Sequence, residues 1–194
     1  MLLCLDAGAV AADLAAGTLA CPSCRDGRLA PWGCGRERAV RLRGGLTTRL
    51  RPRRARCRSC RRTRILLPAW CAPRRADGIE VIGVAAGLAM AGHGHRAVAA
   101  GLGVPAATAR GWLRRLRGRA APLRQHATGA LGGLGCYPPG PPSEPAGSAL
   151  GDALNALAAA VDCARRTVGY GPQMTWALIG RLGLARFLMP APAG

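Results

Sequence analysis

The chain has 194 residues, enough for one large domain or for two or three small ones. Ala accounts for 39 residues, but there are only four Ile, one Phe and two Tyr, so bulky core residues are too scarce for a large β-sandwich or a doubly wound sheet. All 28 basic residues are Arg, and with 9 acidic residues the formal net charge is +19, which favours a polyanionic partner, with nucleic acid ahead of an anionic membrane.

The positive charge is concentrated in the first two thirds of the chain. Residues 1–125 hold 24 Arg and 6 acidic residues, whereas residues 126–194 hold 4 Arg and 3 acidic residues. GC-rich codons favour Gly, Ala, Pro and Arg, so the number of Arg alone says little about function. Mutational drift towards GC-rich codons would spread Arg evenly along the chain, however, so the segregation of charge supports a polyanion as partner.

No membrane span is predicted, because the longest uncharged apolar stretch, residues 81–92, is too short to cross a bilayer. The N-terminus has no basic region before its apolar residues, and it carries Asp6 and Asp13 where an export signal would be apolar. We therefore expect a cytoplasmic protein whose nine cysteines are reduced. In that setting, closely paired cysteines are expected to be metal ligands rather than disulfides.

Residues 1–19 form a weak amphipathic segment without a motif, and residues 20–75 form a block rich in Arg and Cys. Within the block, apolar residues alternate with Arg over residues 38–43, two glycines predict a turn, and residues 46–57 are expected to run back as the second strand of a β-ribbon. Pro52 places that returning strand at an edge or marks a bulge.

The same block contains two pairs of cysteines with two residues between them, Cys21-Pro-Ser-Cys24 and Cys57-Arg-Ser-Cys60. This spacing lets a tight turn aim both sulfurs at one ion, and two such turns complete a tetrahedral site with no open position for catalysis. We therefore expect a structural Zn²⁺ ion. A thioredoxin-type redox role would need one such pair beside a βαβ pattern, which is absent.

The other cysteines carry weaker expectations. Cys34 and Cys71 could act as substitute ligands, but a small buried thiol is the simpler interpretation of each. Cys4, Cys136 and Cys163 have no partner at metal-ligand spacing, and no role is assigned to them.

Residues 78–125 are predicted to be helical. A first helix covers about residues 78–91, and residues 95–117 divide into two further helices joined by a tight turn. Gly103 stands where that turn needs a positive φ, and Val104 follows it as a core residue. Three helices in this order predict a helix-turn-helix domain that binds DNA.

The last helix of that domain carries the side chains expected to contact DNA. Trp112, Leu113 and Leu116 form its buried stripe, so we expect Arg110 and Arg114 to project into the major groove and read bases. The ribbon arginines are expected to contact phosphate. The full set of expected DNA contacts is Arg53, Arg54, Arg56, Arg96, Thr108, Arg110, Arg114, Arg115 and Arg117.

Residues 126–148 contain GALGGLG and YPPGPPSEP, a composition that predicts a linker without regular structure. Residues 149–190 are then predicted to form two helices, the first with Ser148 as N-cap and the second starting near Pro172. This nearly neutral pair is a candidate homodimer or partner module; simple packing against the rest of the chain is the alternative.

The order CPSC…RARCRSCRRT…LLPAW followed by HRAVAAGLGVPAATARGWLRRLR, about residues 20–118, resembles the N-terminal DNA-binding region of insertion-sequence transposases. It is most similar to short zinc-ribbon/helix-turn-helix proteins of high-GC bacteria that lack a transposase core. The resemblance implies DNA binding, with the four paired cysteines as zinc ligands and Thr108, Arg110 and Arg114 on the recognition helix. The chain departs from the family pattern at Pro105, Ala109 and Gly111.

A catalytic role is not expected. Transposases of that kind cut DNA with three acidic residues in a later domain, because two-metal chemistry needs converging carboxylates. After residue 125 the chain has only Glu144, Asp152 and Asp162, and the last two would lie about 15 Å apart along one helix. The four Ser residues lie in the cysteine turns, the linker or a cap, so a serine recombinase is not expected either.

The sequence as a whole predicts a mainly α protein with a small β-ribbon: a zinc ribbon, a three-helix helix-turn-helix domain and a C-terminal helical pair. The expected function is binding of double-stranded DNA, as a transcriptional regulator or a transposase-derived targeting module. The alternative is an RNA-binding or ribosome- or RNA-polymerase-associated zinc ribbon. Exposed aromatic side chains among the arginines would favour that alternative, but only Trp32 and Trp70 flank the Arg block, so DNA is the expected partner.

Overall fold

The computed structural model describes residues 1–24, 26–136 and 146–188. Within them the chain is mainly α-helical, with two small sheets in its N-terminal part. The strands are β1 (Leu2–Cys4), β2 (Leu29–Cys34), β3 (Arg38–Arg41), β4 (Thr47–Leu50), β5 (Arg53–Cys57) and β6 (Thr63–Pro68). The helices are α1 (Ala7–Ala16), α2 (Ile79–Met90), α3 (His95–Leu102), α4 (Ala106–Arg117), α5 (Ala120–Gly133), α6 (Ala149–Val168), α7 (Thr175–Ile179) and α8 (Ala185–Phe187).

The larger sheet has the strand order β1-β6-β5-β2. Strand β5 is antiparallel to both of its neighbours, whereas β1 is parallel to β6, with Leu2 opposite Leu66. Residues 1–19 thus belong to the sheet region, since Cys4 and Leu14 are buried against Leu29. No local pattern predicts this arrangement, because parallel pairing joins segments that are far apart in the chain.

The predicted ribbon is only partly correct. Strands β3 and β4 form an antiparallel hairpin with Val40 opposite Thr48, and Gly44 and Gly45 in its turn have φ of 73° and 75°. The prediction that residues 46–57 run back as one strand is wrong, because β4 ends at Leu50 and β5 joins the other sheet. Pro52 lies at the break; it has no N–H to donate to a ladder, and its carbonyl accepts from the Gly35 N–H at 2.7 Å.

Helices α2, α3 and α4 confirm the three helices predicted from residue 78 to residue 117. Gly103 ends α3 with φ of 62°, in the left-handed region that glycine adopts at little cost. Val104 is buried after it, and the Val104 N–H donates to the Ala99 carbonyl at 3.0 Å. The three helices share one core, in which the Trp112 side chain is only 1% exposed.

The predicted linker over residues 126–148 is wrong in its first part. Helix α5 continues to Gly133, and it packs along α6 with Leu123 and Ala127 buried. Burial of these apolar side chains outweighs the low helix propensity of the glycines. The Pro-rich stretch at residues 137–145 lies outside the described residues.

The C-terminal helices pack against the rest of the chain. Helix α6 begins as predicted, with Ser148 Oγ accepting from the Gly151 N–H at 3.1 Å, but the second helix is divided into α7, a π-helical turn at Gly180–Leu184 and α8. A Cβ at Gly180 would overlap the Ala69 carbonyl, so this turn lies directly against the residue that follows β6. Leu157 and Leu184 share the core with Ile79 of α2. None of the helices within the described ranges is long and apolar enough to span a membrane.

Candidate metal centre and nucleic-acid interface

Four cysteine side chains meet beside the β5–β6 turn. Cys21 and Cys24 lie in the loop closed by the bridge between Ala20 and Arg28, Cys57 ends β5, and Cys60 lies in the turn that leads to β6. Their four Sγ atoms all lie within 4.8 Å of one another. The four ligands predicted from the two cysteine pairs are therefore brought together.

The distances between these sulfurs fit one tetrahedral ion. Cys21 Sγ lies 3.8 Å from Cys60 Sγ, and Cys24 Sγ lies 3.5 Å from Cys57 Sγ. An ion with four bonds of about 2.3 Å holds its sulfurs about 3.8 Å apart. The group can therefore hold a metal ion, and four thiolates are a soft donor set of the kind that selects Zn²⁺, Cu⁺ or iron–sulfur clusters.

Backbone amides already stabilise negative charge on two of the sulfurs. The Ser23 N–H donates to Cys21 Sγ and the Cys60 N–H donates to Cys57 Sγ, both at 3.4 Å. The Ser23 amide lowers the pKa of Cys21 to about 6, whereas hydrogen bonding with the Cys57 and Cys60 side chains raises the pKa of Cys24 to about 12. Metal binding requires deprotonated thiols, so a bound ion would displace the protons of these cysteines.

Gly27 closes the loop over this centre. Its N–H donates to the Cys24 carbonyl at 3.2 Å, and its carbonyl accepts from the Cys21 N–H at 2.8 Å. A Cβ at residue 27 would lie 2.5 Å from Cys57 Sγ and 2.6 Å from Cys24 Sγ. The sequence reasoning missed this residue; the only signal was a glycine three positions after the second cysteine of the first pair.

The other cysteines lie elsewhere. Cys71 is buried with Val40 and Leu67, as expected of a small buried thiol, but that expectation is wrong for Cys34, which is exposed near the end of β2. Cys136 and Cys163 form a disulfide between the end of α5 and α6, with their Cα atoms 6.4 Å apart. The prediction of nine reduced cysteines is therefore wrong for this pair, whose contact across 27 residues has no signature in the local sequence.

Helix α4 has one buried and one cationic face. Ala109, Trp112, Leu113 and Leu116 are buried. Arg110, Arg114 and Arg117 are exposed on the other side of the helix, and Thr108 and Arg115 are half-buried. Arg96 is exposed near the start of α3.

A cleft of about 820 Å³ lies between α4 and residues 74–77, and we call it the arginine cleft. Its charged and polar lining consists of Arg74, Arg75, Asp77, Thr108, Arg110, Arg114 and Arg115. The sequence reasoning placed the α4 residues at a nucleic-acid interface but missed Arg74 and Arg75. They belong to the connection from the ribbon to α2, and only the tertiary structure brings them beside α4.

The three arginines predicted to contact phosphate from the ribbon, Arg53, Arg54 and Arg56, lie in β5 and do not form one group. Alternation along β5 puts Arg53 on the opposite face of the sheet from Arg54 and Arg56, and none of the three lines the arginine cleft. The Arg56 Nε–H donates to the Arg61 carbonyl at 3.1 Å, and the Arg56 Cζ lies 4.7 Å from the centre of the Trp32 ring. This stack exposes an aromatic ring beside positive charge, since Trp32 is 49% exposed.

Two of the three acidic residues after position 125 are engaged within the helical region. Asp152 Oδ1 accepts from the Ala146 N–H at 2.8 Å, and its Oδ2 lies 3.9 Å from Arg124 Nη1. Asp162 lies 3.9 Å from Arg165 on the same helix. Glu144 lies outside the described residues.

Comparisons with known proteins assign no family to the chain: no family model matches it, and neither a curated protein nor a solved structure matches it.

Proposed function

We propose that this chain is a non-catalytic protein that binds double-stranded DNA, with α3 and α4 as a helix-turn-helix unit beside a zinc ribbon. The two-sided character of α4 supports this proposal most directly. Its apolar face is anchored in the core through Trp112, while Arg110 and Arg114 are exposed on the other side. A fixed helix with a cationic outer face suits the major groove, which admits one α-helix.

The residues of the interface have different roles in this proposal. Arg110 and Arg114 are one helical turn apart and read guanine edges, with Thr108 as a further polar contact. Arg96, Arg115 and Arg117 contact phosphates, which position the protein without reading sequence. Of the β5 arginines, which lie on opposite faces of the sheet, either Arg53 or the pair Arg54 and Arg56 adds to these contacts.

The role of the metal is structural. A Zn²⁺ ion held by Cys21, Cys24, Cys57 and Cys60 would cross-link the loop at residues 21–27 to the β5–β6 turn. Four thiolates complete its tetrahedral coordination and leave no position for a substrate. The proposed location is the cytoplasm, where thiolate ligands persist, and the Cys136–Cys163 disulfide is an exception to the reduced state expected there.

A role as a transcriptional regulator or as a transposase-derived DNA-targeting module fits these properties, and it agrees with the resemblance over residues 20–118. The absence of catalysis is part of the proposal. It is supported by the engagement of Asp152 with Ala146 and Arg124, and by the surface ion pair of Asp162 with Arg165 on the same helix.

Selection from a random duplex pool tests this function. Zinc-loaded protein should enrich a shared sequence that contains guanine within the span of one helix in the major groove. A parallel selection with Arg110→Ala plus Arg114→Ala should enrich no shared sequence although duplex is still retained. Failure of the wild-type protein to retain duplex DNA at about 0.1 M salt would contradict the proposal.

One observation favours single-stranded nucleic acid, such as RNA, as a second candidate. Trp32 is exposed and stacked with Arg56, and the nearby strand β6 exposes Ile65, which is 42% exposed. Aromatic rings beside arginine stack on unpaired bases. If this candidate is correct, a single-stranded oligonucleotide quenches the fluorescence of Trp32 and binds more tightly than its duplex. Trp32→Ala should then remove the quenching.

A further inference from the structure

The loop that carries Arg74 and Arg75 is held in place by two arginines of strand β3. Arg38 donates from Nη1 to the Arg75 carbonyl at 3.0 Å and from Nη2 to the Ala72 carbonyl at 3.4 Å. Asp77 is buried next to Arg41, with Arg41 Nε 3.5 Å from Asp77 Oδ1. The two arginines at the tip of the loop are therefore fixed opposite α4 before any ligand binds.

The charge of the arginine cleft is not balanced within the described part of the chain. Five guanidinium groups line it, and the single carboxylate in its lining, Asp77, is already paired with Arg41. Burial and the positive charge of Arg115 lower the pKa of Arg75, and the Asp77 carboxylate partly opposes this effect. The nearby positive charges thus repel each other, and an anion between them would relieve the repulsion.

Arg75 also has hydrogen-bonding capacity that the described residues leave unused. Its Nη2 donates to the Leu188 carbonyl at 3.2 Å, which fixes the guanidinium in the wall of the cleft. Its Nε–H is buried and has no hydrogen-bond partner among the described residues. A buried donor of this kind is costly unless an acceptor is supplied. Asp77 Oδ1 in the same lining is also buried without a hydrogen-bond partner among the described residues, but the five guanidinium groups outnumber this one carboxylate.

We propose that the arginine cleft is a phosphate-binding site in which Arg74 and Arg75 act together with Arg115 of α4. Guanidinium groups bind phosphate oxygens through paired, charge-assisted hydrogen bonds. A cleft of about 820 Å³ accommodates more than one phosphate group. The phosphates come from the backbone of bound DNA or from a free polyphosphate; the first source rests on the proposed function, whereas the second does not.

Titration calorimetry with inorganic pyrophosphate tests the site without DNA. Wild-type, zinc-loaded protein is compared with Arg75→Gln and Arg74→Asn; Asn is chosen because Arg74 has φ of 56°, which Asn tolerates. Arg51→Gln is the matched control, because Arg51 is exposed and does not line the cleft. Each cleft variant should bind pyrophosphate about tenfold or more weakly, with the control unchanged. If Arg75→Gln does not fold, the exposed Arg74→Asn change decides the result.

The salt dependence of duplex binding identifies the source. If DNA supplies the phosphates, each cleft variant reduces the magnitude of the slope of log K against log salt by about 0.9 and also binds pyrophosphate more weakly. Arg51→Gln does not show both of these changes. Weaker pyrophosphate binding with an unchanged slope supports the site and assigns it to a free polyphosphate. The proposal is overturned if the cleft variants change neither quantity, or if all three variants weaken pyrophosphate binding equally. Absence of any duplex binding by the wild type would instead overturn the proposed function and leave the pyrophosphate result to decide the cleft.

Discussion

The change Gly27→Ala tests the geometry of the metal centre with a single added methyl group. Gly27 does not have a positive φ, so alanine meets no backbone strain there, and the cost is steric. The new Cβ would lie 2.5 Å from Cys57 Sγ and 2.6 Å from Cys24 Sγ, whereas ordinary contacts begin at 3.4 Å. Both sulfurs would have to retreat by most of an ångström, although metal–ligand distances tolerate only about 0.2 Å.

The expected result is zinc affinity about 10- to 100-fold below that of the wild type, which corresponds to an overpacking cost of about 1–3 kcal/mol. Competition against a coloured chelator measures the affinity, and cobalt substitution reports thiolate coordination through its absorption. Gly101→Ala in α3 is the matched control, because nothing lies within 4 Å of its Cβ position, and its zinc affinity should equal that of the wild type. Wild-type affinity in Gly27→Ala would refute the sulfur arrangement described above.

Three further predictions concern the metal, catalysis and the disulfide. Protein purified under reducing conditions should contain about one equivalent of Zn²⁺, and the pair Cys57→Ser and Cys60→Ser should remove it; metal-free wild type or unchanged folding of the variant would contradict a structural site. Duplex DNA incubated with the protein and Mg²⁺ should remain intact because Asp152 and Asp162, the described carboxylates after residue 125, are spaced along one helix, so nicking that Asp152→Ala abolishes would show that the chain is an enzyme. Thiol titration of denatured protein purified without reductant should find two fewer thiols than after reduction, owing to Cys136 and Cys163, and equal counts would rule that disulfide out.

Local spacing accounts for the features that the sequence predicted well. Two residues between cysteines dictate a turn, so Cys21, Cys24, Cys57 and Cys60 were identifiable as a group. Gly103 marked the end of α3 because few other residues adopt its backbone conformation readily.

Contacts between distant segments account for what the sequence did not predict. Strand β1 depends on pairing with β6, and α5 extends through a glycine-rich stretch because α6 covers it. The arginine cleft arises only when the connection at residues 74–77 folds against α4. Local composition does not encode such pairings in a readable pattern, and tertiary burial overrides propensity where the two conflict.

The most direct test of DNA reading compares Arg110→Ala with Arg53→Ala plus Arg54→Ala on a selected duplex and on a scrambled one. Arg110→Ala should reduce the preference for the selected site by about 1–3 kcal/mol and leave binding to the scrambled duplex nearly unchanged. The ribbon variant should weaken binding to both duplexes alike and lower the salt slope by about 0.9 for each phosphate that is no longer neutralised. Identical behaviour of the two variants on both duplexes would contradict base reading by α4 and leave a non-specific nucleic-acid binder.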